Sequence, residues 1–151
     1  MADLQFGEIV EGRTYVDRPA TFGVVVRDGL LAVAAITIRA GEPPVFDLPG
    51  GGIDPGETEL EAMVREFGEE AGLNIAPGAF LMRARQRYIS PEGRAVNNHG
   101  AFYAASVLTE DPALKIEDDH ELVWMSPTDF VQKARHEAQA WAVCVWLRNN
   151  G

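Results

Sequence analysis

Three glutamates, Glu66, Glu69 and Glu70, fall within a segment that reads GGIDPGETELEAMVREFGEEAGL from Gly51 to Leu73. In a helix the spacing i, i+3, i+4 puts their side chains close together on one side. Like charges at that spacing weaken an isolated helix, so a cluster this tight calls for a compensating cation. Carboxylate oxygens are hard ligands and favour Mg²⁺ or Mn²⁺. A solvated acidic face is the commoner explanation of a lone ExxEE. Arg65 lies one turn before Glu69 and one turn after Glu61. Taken alone it would be a surface ion pair worth at most about 1 kcal/mol. Just upstream, Gly50, Gly51 and Gly52 form a run whose backbone can turn tightly and approach a phosphate closely. That run leads into the N-terminal end of the acidic helix, where the dipole favours anions.

The elements that must position these groups are of mixed α and β type. Periodicity predicts an amphipathic helix from about Thr58 to Ala71, with Leu60, Val64, Phe67 and Ala71 as its core stripe. Gly72 is placed to stop it. On this wheel Glu66 and Glu70 border the core at the Met63 edge, while Glu69 points further outward. Carboxylates at a core boundary are costly to ionise together without a cation. Residues 20–26 and 30–38 read as strands joined by a tight Asp28–Gly29 hairpin. A short strand around Phe46–Leu48 precedes the glycine loop. Strands are expected at 79–89 and 100–108, joined by a turn-rich loop from Ser90 to His99, and at 121–125. Ser126 and Pro127 open a helix spanning 127–149, with an interruption near His136.

At 151 residues the chain is long enough for one domain, 1–151, with a proper core. The net charge of −10 argues against binding a nucleic-acid duplex or an anionic membrane nonspecifically. A small polyanionic substrate remains compatible, given metal ions and a few arginines. The opening residues hold no long apolar run, and no stretch approaches the ~20 apolar residues of a membrane span. Cys144 is the single cysteine, so no internal disulfide forms, consistent with a reducing cytoplasmic setting.

The segment from Gly51 to Leu73 resembles the Nudix box, Gly-x5-Glu-x7-Arg-Glu-U-x-Glu-Glu-x-Gly-U with U bulky and apolar. The matching residues are Gly51, Glu57, Arg65, Glu66, Phe67, Glu69, Glu70, Gly72 and Leu73. Chance matching in a chain of this length is on the order of 10⁻⁶. The resemblance implies the α+β Nudix fold, a mixed sheet sandwiched between helices. It implies a metal-dependent pyrophosphohydrolase in which water attacks phosphorus in a nucleoside diphosphate linked to another moiety. It also implies that Glu66, Glu69 and Glu70 hold the metal, that Gly50 or Gly51 adds a carbonyl, and that Arg65 orients the acids, Glu57 included, by bidentate hydrogen bonding. Many members draw a further carboxylate from a later loop, as ligand or as general base. Glu117, Asp118, Asp119 and Glu121 are the candidates here, with Glu121 favoured. The proton acceptor stays open between Glu66, Glu69 and such an acid.

The substrate is not set by the resemblance. ADP-ribose-cleaving members tend to carry a proline about 16 residues beyond the box and dinucleoside-polyphosphate members a tyrosine; Tyr88 and Pro91 straddle that window. Homodimers are common in the family. An inactive nucleotide-binding sensor of the same fold is the alternative reading, and a Nudix-fold isomerase is disfavoured because Cys144 lies on the terminal helix.

Outside the box, Arg83, Arg85 and Arg87 alternate along an expected strand and so share a face. Contact with substrate phosphates and a solvent face paired with surface acids both remain open for them. His99 is expected to be structural. Phe102 and Tyr103 are candidates for stacking a base, with core packing the plainer role. Trp141, Cys144 and Val145 have core-like spacing on the last helix.

Overall fold

The structure, a computed structural model, describes residues 4–150; Met1–Asp3, the start of the opening segment, and Gly151 lie outside the described residues. The strands are β1 (Leu4–Phe6), β2 (Val16–Arg27), β3 (Leu30–Ile36), β4 (Val45–Asp47), β5 (Gly50–Gly52), β6 (Leu73–Ile89), β7 (Ala95–Glu110) and β8 (His120–Met125). The helices are α1 (Glu59–Ala71), α2 (Pro127–Lys133) and α3 (Glu137–Asn150). The strands form a sheet in the order β1-β6-β7-β2-β3-β4, with β5 paired to β2 and β8 to β3. It is mixed: β1 runs parallel to β6 and β2 parallel to β7, whereas β6 and β7 are antiparallel.

Alternation along the strands divides the core into two layers. On one face Phe22, Val24, Leu31 and Val33 pack with Phe130, Ala138, Ala142 and Val143 of α2 and α3. On the other, Val25, Ala32, Leu73 and Ile75 meet Met63, Phe67 and Ala71 of α1. The result is the helix-sheet-helix sandwich expected of the sequence.

Local chemistry accounts for the elements that frame the glutamates. Thr58 caps α1 in a reciprocal capping box with Glu61, and Gly72 ends the helix in the left-handed conformation at φ 65°. The buried stripe of α1 is centred on Met63, Phe67 and Ala71; Leu60 is 39% exposed and Val64 only half-buried. The stripe is thus rotated toward the Met63 edge, which pulls Glu66 and Glu70 inward. Gly50–Gly52, expected as a loop, is a short strand antiparallel to Ala20–Phe22 of β2. Gly50 has φ 151°, and a Cβ there would lie 2.2 Å from the Thr21 carbonyl oxygen, so only glycine fits.

The strand expected at 79–89 begins at Leu73, and the next begins at Ala95, so the turn between them is shorter than read. The final helical region breaks between Lys133 and Glu137, at the expected interruption. Its second half turns a different side inward than the spacing suggested. Ala138, Gln139, Ala142 and Val143 are buried, whereas Trp141 is 50% exposed, Cys144 is exposed and Val145 only half-buried.

Candidate active site

Arg65 organises the outer acids of α1. Its Nε and Nη2 donate to the two oxygens of Glu57 at 2.7 and 2.9 Å. Its Nη1 donates to Glu66 Oε1 and to Glu69 Oε2, each at 3.0 Å, and Nη2 also reaches the Gly52 carbonyl at 3.1 Å. One guanidinium therefore ties the helix to the glycine strand and to the loop before α1. The bidentate hydrogen bond from Arg65 holds the Glu57 carboxyl well below its ordinary range, at about 2. The same acids raise the pKa of Arg65, so it is a permanent cation here.

The inner pair is different. Burial raises the pKa of Glu66, against the pull of Arg65. Glu70, with 6% of its surface exposed, is raised well above the usual carboxylate range, first by burial and then by the charge of Glu66. Its support is the Gly50 backbone N–H, donating to Oε2 at 3.2 Å, and the His120 ring, whose Nε2 lies 3.8 Å from Oε1. These two acids form one wall of a cleft of about 360 Å³. Gly50 and Gly51 form the adjoining wall, and a Cβ on Gly51 would come within 3.0 Å of Glu66 Oε1.

The loop before β8 is fastened to the same helix. The backbone N–H groups of Ile116 and Glu117 both donate to the Glu69 carbonyl, at 2.9 and 3.1 Å. This brings Glu117, Asp119 and His120 to the cleft, each offering one ligand atom within 4.8 Å of the others. His120 Nδ1 contacts Asp119 Oδ1 at 2.8 Å, and this lowers the Asp119 pKa.

Several sequence expectations are relocated. Glu69 does not line the cleft; one of its oxygens is taken by Arg65. Glu121 is a neighbour of His120 on β8 and alternation turns it away, toward the side of Val123 and Met125. Glu117 and Asp119 are the late-loop acids that reach the cleft, whereas Asp118 does not line it. Arg83, Arg85 and Arg87 do share a face, but not the cleft's. Arg83 grips Glu59 with both Nη atoms at 2.5 and 2.9 Å, Arg85 lines a separate depression with Arg83 and His99, and Arg87 donates to the Gly7 carbonyl. The β6 residue that lines the cleft is Tyr88, on the opposite face. Phe102 is buried against Phe22, and the Tyr103 hydroxyl donates to Glu59, so neither lines the cleft. His99 pairs with Asp17 at 3.0 Å.

With Asn98, His120, Arg135 and Gln139, Arg18 is one of the cleft residues that sequence reasoning missed. Its guanidinium packs over Gly52 and its Nη1 lies 3.4 Å from the Tyr88 hydroxyl, with no acidic partner among the described residues. The strand was read from residue 20; begun at Val16, the alternation Arg18, Ala20, Phe22 would have shown it. Arg135 also lines the cleft, but is committed to Asp47 in a bidentate pair at 2.5 and 3.2 Å.

Comparison with known proteins places the fold in a family. A family model described as the NUDIX domain matches residues 17–147. The chain is 28% identical over 109 residues to the CTP pyrophosphohydrolase of Escherichia coli K12, covering 72% of this chain and 76% of that protein. A NUDIX hydrolase from Nitrosomonas europaea superposes with a TM-score of 0.73 at 18% identity, covering 89% of this chain and 90% of that one. A MutT NUDIX hydrolase from Burkholderia pseudomallei superposes at 0.61 with 29% identity, covering 85% and 96%. The chain belongs to the Nudix family, and it is a Nudix hydrolase.

Proposed function

We propose that this chain cleaves the phosphoanhydride of a nucleoside diphosphate linked to a further group, with Mg²⁺ or Mn²⁺ as cofactor. The observation that carries this reading is the Glu66–Glu70 pair: a half-buried and a buried carboxylate beside a glycine cradle, with pKa values raised because local positive charge does not offset burial. Such a pair fits a hard divalent cation, which would supply the missing charge. Glu66 and Glu70 would hold it, with the Gly51 carbonyl and Glu69 beside them. When bound, the cation lowers the pKa of a water and offsets charge on phosphate oxygens.

The protein groups supply the rest. The Gly50–Gly51 backbone lets a diphosphate approach without side-chain obstruction. Arg18 is set to hold a phosphate oxygen through hydrogen bonds to its free donors. Arg65 keeps Glu66 and Glu69 from swinging outward. The proton released by the attacking water passes to a carboxylate: Glu66, Glu117 and Asp119 line the cleft, and Glu69 is bound to Arg65 on the same helix as Glu66. The Escherichia coli relative is named for cleaving CTP, which supports a nucleoside triphosphate as substrate.

Hydrolysis of a nucleotide panel with Mg²⁺ or Mn²⁺ tests the reading. Turnover should vanish with chelator and fall at least ~100-fold in Glu70→Gln, since metal chemistry contributes several kcal/mol. A folded Glu70→Gln variant with near-normal turnover contradicts it.

A further inference from the structure

The cleft contains two buried carboxamides that the reaction as described does not use. Across three strands Arg18, Asn98 and Gln86 lie side by side in register. Gln86 is fully engaged: its Nε2 donates to Glu137 at 2.8 Å and to the Arg87 carbonyl, and its Oε1 accepts from the Ala138 N–H at 3.0 Å. Asn98 is not. It is 7% exposed, and its Oδ1 has no hydrogen-bond partner among the described residues. Gln139, 3% exposed, enters from the first turn of α3, and its Oε1 accepts from the Leu48 N–H at 2.6 Å. That bond fixes the amide orientation, because an N–H can only meet the oxygen end. The Gln139 NH₂ is therefore the end left over as a donor. Both residues line the cleft, and both also line a recess of about 10 Å³ adjoining it.

The Asn98 amide has no protein partner among the described residues to fix it, so a turn about its last bond brings the now fully buried oxygen to the cleft; beside a donor of fixed orientation it then completes a reader for a complementary edge. We propose that Asn98 and Gln139 read the ring edge of the substrate's base, Asn98 Oδ1 accepting from an exocyclic amine and Gln139 Nε2 donating to the adjacent unprotonated ring nitrogen. The edge so selected is shared by cytosine and adenine. Uracil and hypoxanthine present the reverse, a carbonyl beside a ring N–H, which would oppose oxygen to oxygen and N–H to N–H. Phe22, Ile36, Ile38 and Tyr88 give the same cleft the apolar surface a ring needs. The proposal rests on the hydrolase reading of this cleft and names its substrate class.

The test uses pairs of equal shape and opposite edge, CTP against UTP and ATP against ITP, assayed with Mg²⁺. In at least one pair kcat/KM should favour the amine-bearing base by about tenfold or more. The pair that is cleaved tells pyrimidine from purine. Asn98→Ala removes a group that bonds no protein partner, so it should fold, and it should bring the ratio within about threefold. Ratios near one in the wild type, a preference for uracil or hypoxanthine nucleotides, or an unchanged ratio in Asn98→Ala overturn the proposal; in the last case the oxygen serves a buried water. Calorimetry of CMP against UMP, and AMP against IMP, on the wild-type chain without metal separates the two readings. Preferential binding of CMP or AMP with no hydrolysis of any nucleotide would leave base reading standing and remove the hydrolase reading. Equal affinities within both pairs overturn base reading.

Discussion

Two sets of acids around α1 sit within a few ångströms of one another and differ in what neutralises them. Glu57 and Glu69 face a guanidinium, and for Glu57 that holds the carboxyl at about 2. Glu66 and Glu70 are turned inward, and burial raises both. The first set is a finished structure: charge meets charge, and the geometry is locked. The second is unfinished, since Arg65 reaches only one of the pair. The difference teaches how one helix can be both scaffold and site. An arginine placed between the sets satisfies the outer acids and holds Glu66 in place, while burial still keeps both inner acids raised.

The comparison breaks most severely if Arg65 is removed. Arg65→Ala leaves Glu57, Glu66 and Glu69 without their shared cation, and turnover should fall by about 10- to 100-fold through lost orientation. Thermal unfolding should show a lower midpoint at neutral pH. A variant with unchanged turnover would mean that the outer network has no positioning role. Arg18→Gln touches the cleft but neither acid set. It should raise KM about tenfold while leaving the unfolding midpoint within a degree or two, because a charged hydrogen bond contributes about 1.5–3 kcal/mol. A change in kcat alone would move Arg18 away from substrate binding. Arg83→Ala should do least. Its partner Glu59 lies on the outer side and Arg83 is 53% exposed, so the loss is at most about 1 kcal/mol of stability, with kcat/KM within threefold of wild type. A tenfold loss of kcat/KM would restore the arginine stripe as a substrate contact.

Much of this was legible in the chain because local signals agreed. Asp28 and Gly29 both adopt positive φ, 53° and 79°, as a tight hairpin between twisted strands requires. Thr58, Glu61 and Gly72 bracket α1 with its own caps, so the glutamates could be placed on a wheel and their inward tilt foreseen. What was not legible depends on pairing between distant segments. The period of two puts Arg83, Arg85 and Arg87 on one face, but only the packing of α1 decides which face meets the cleft. The same ambiguity turned Glu121 away and His120 in. Arg18 and Asn98 became neighbours through the parallel pairing of β2 with β7, which leaves no mark in either segment alone. Cys144 was misplaced because α3 is only weakly amphipathic, and its buried side is lined by small residues, Ala138 and Ala142, that spacing arguments overlook. The strand β1 is three residues long, too short for any periodicity to show.

The central claim is that Arg65 neutralises the outer acids but reaches only Glu66 of the inner pair, where burial outweighs it, and pH-dependent unfolding tests it most directly. Glu57 has a lowered pKa, so its contribution is present above about 4.5 and is lost as pH falls toward about 2. Glu66 and Glu70 have raised pKa values, so their contribution runs the other way: present below about 4.5, and lost as pH rises through the raised values. In chelator, Glu70→Gln should therefore unfold at a higher temperature than wild type at pH 7.5, with the gain shrinking toward pH 4.5. Adding Mg²⁺ should raise the wild-type midpoint more at pH 7.5 than at pH 5, and should raise that of Glu70→Gln far less. Equal Mg²⁺ shifts in the two proteins, or a Glu70→Gln variant less stable than wild type in chelator at pH 7.5, would contradict the account.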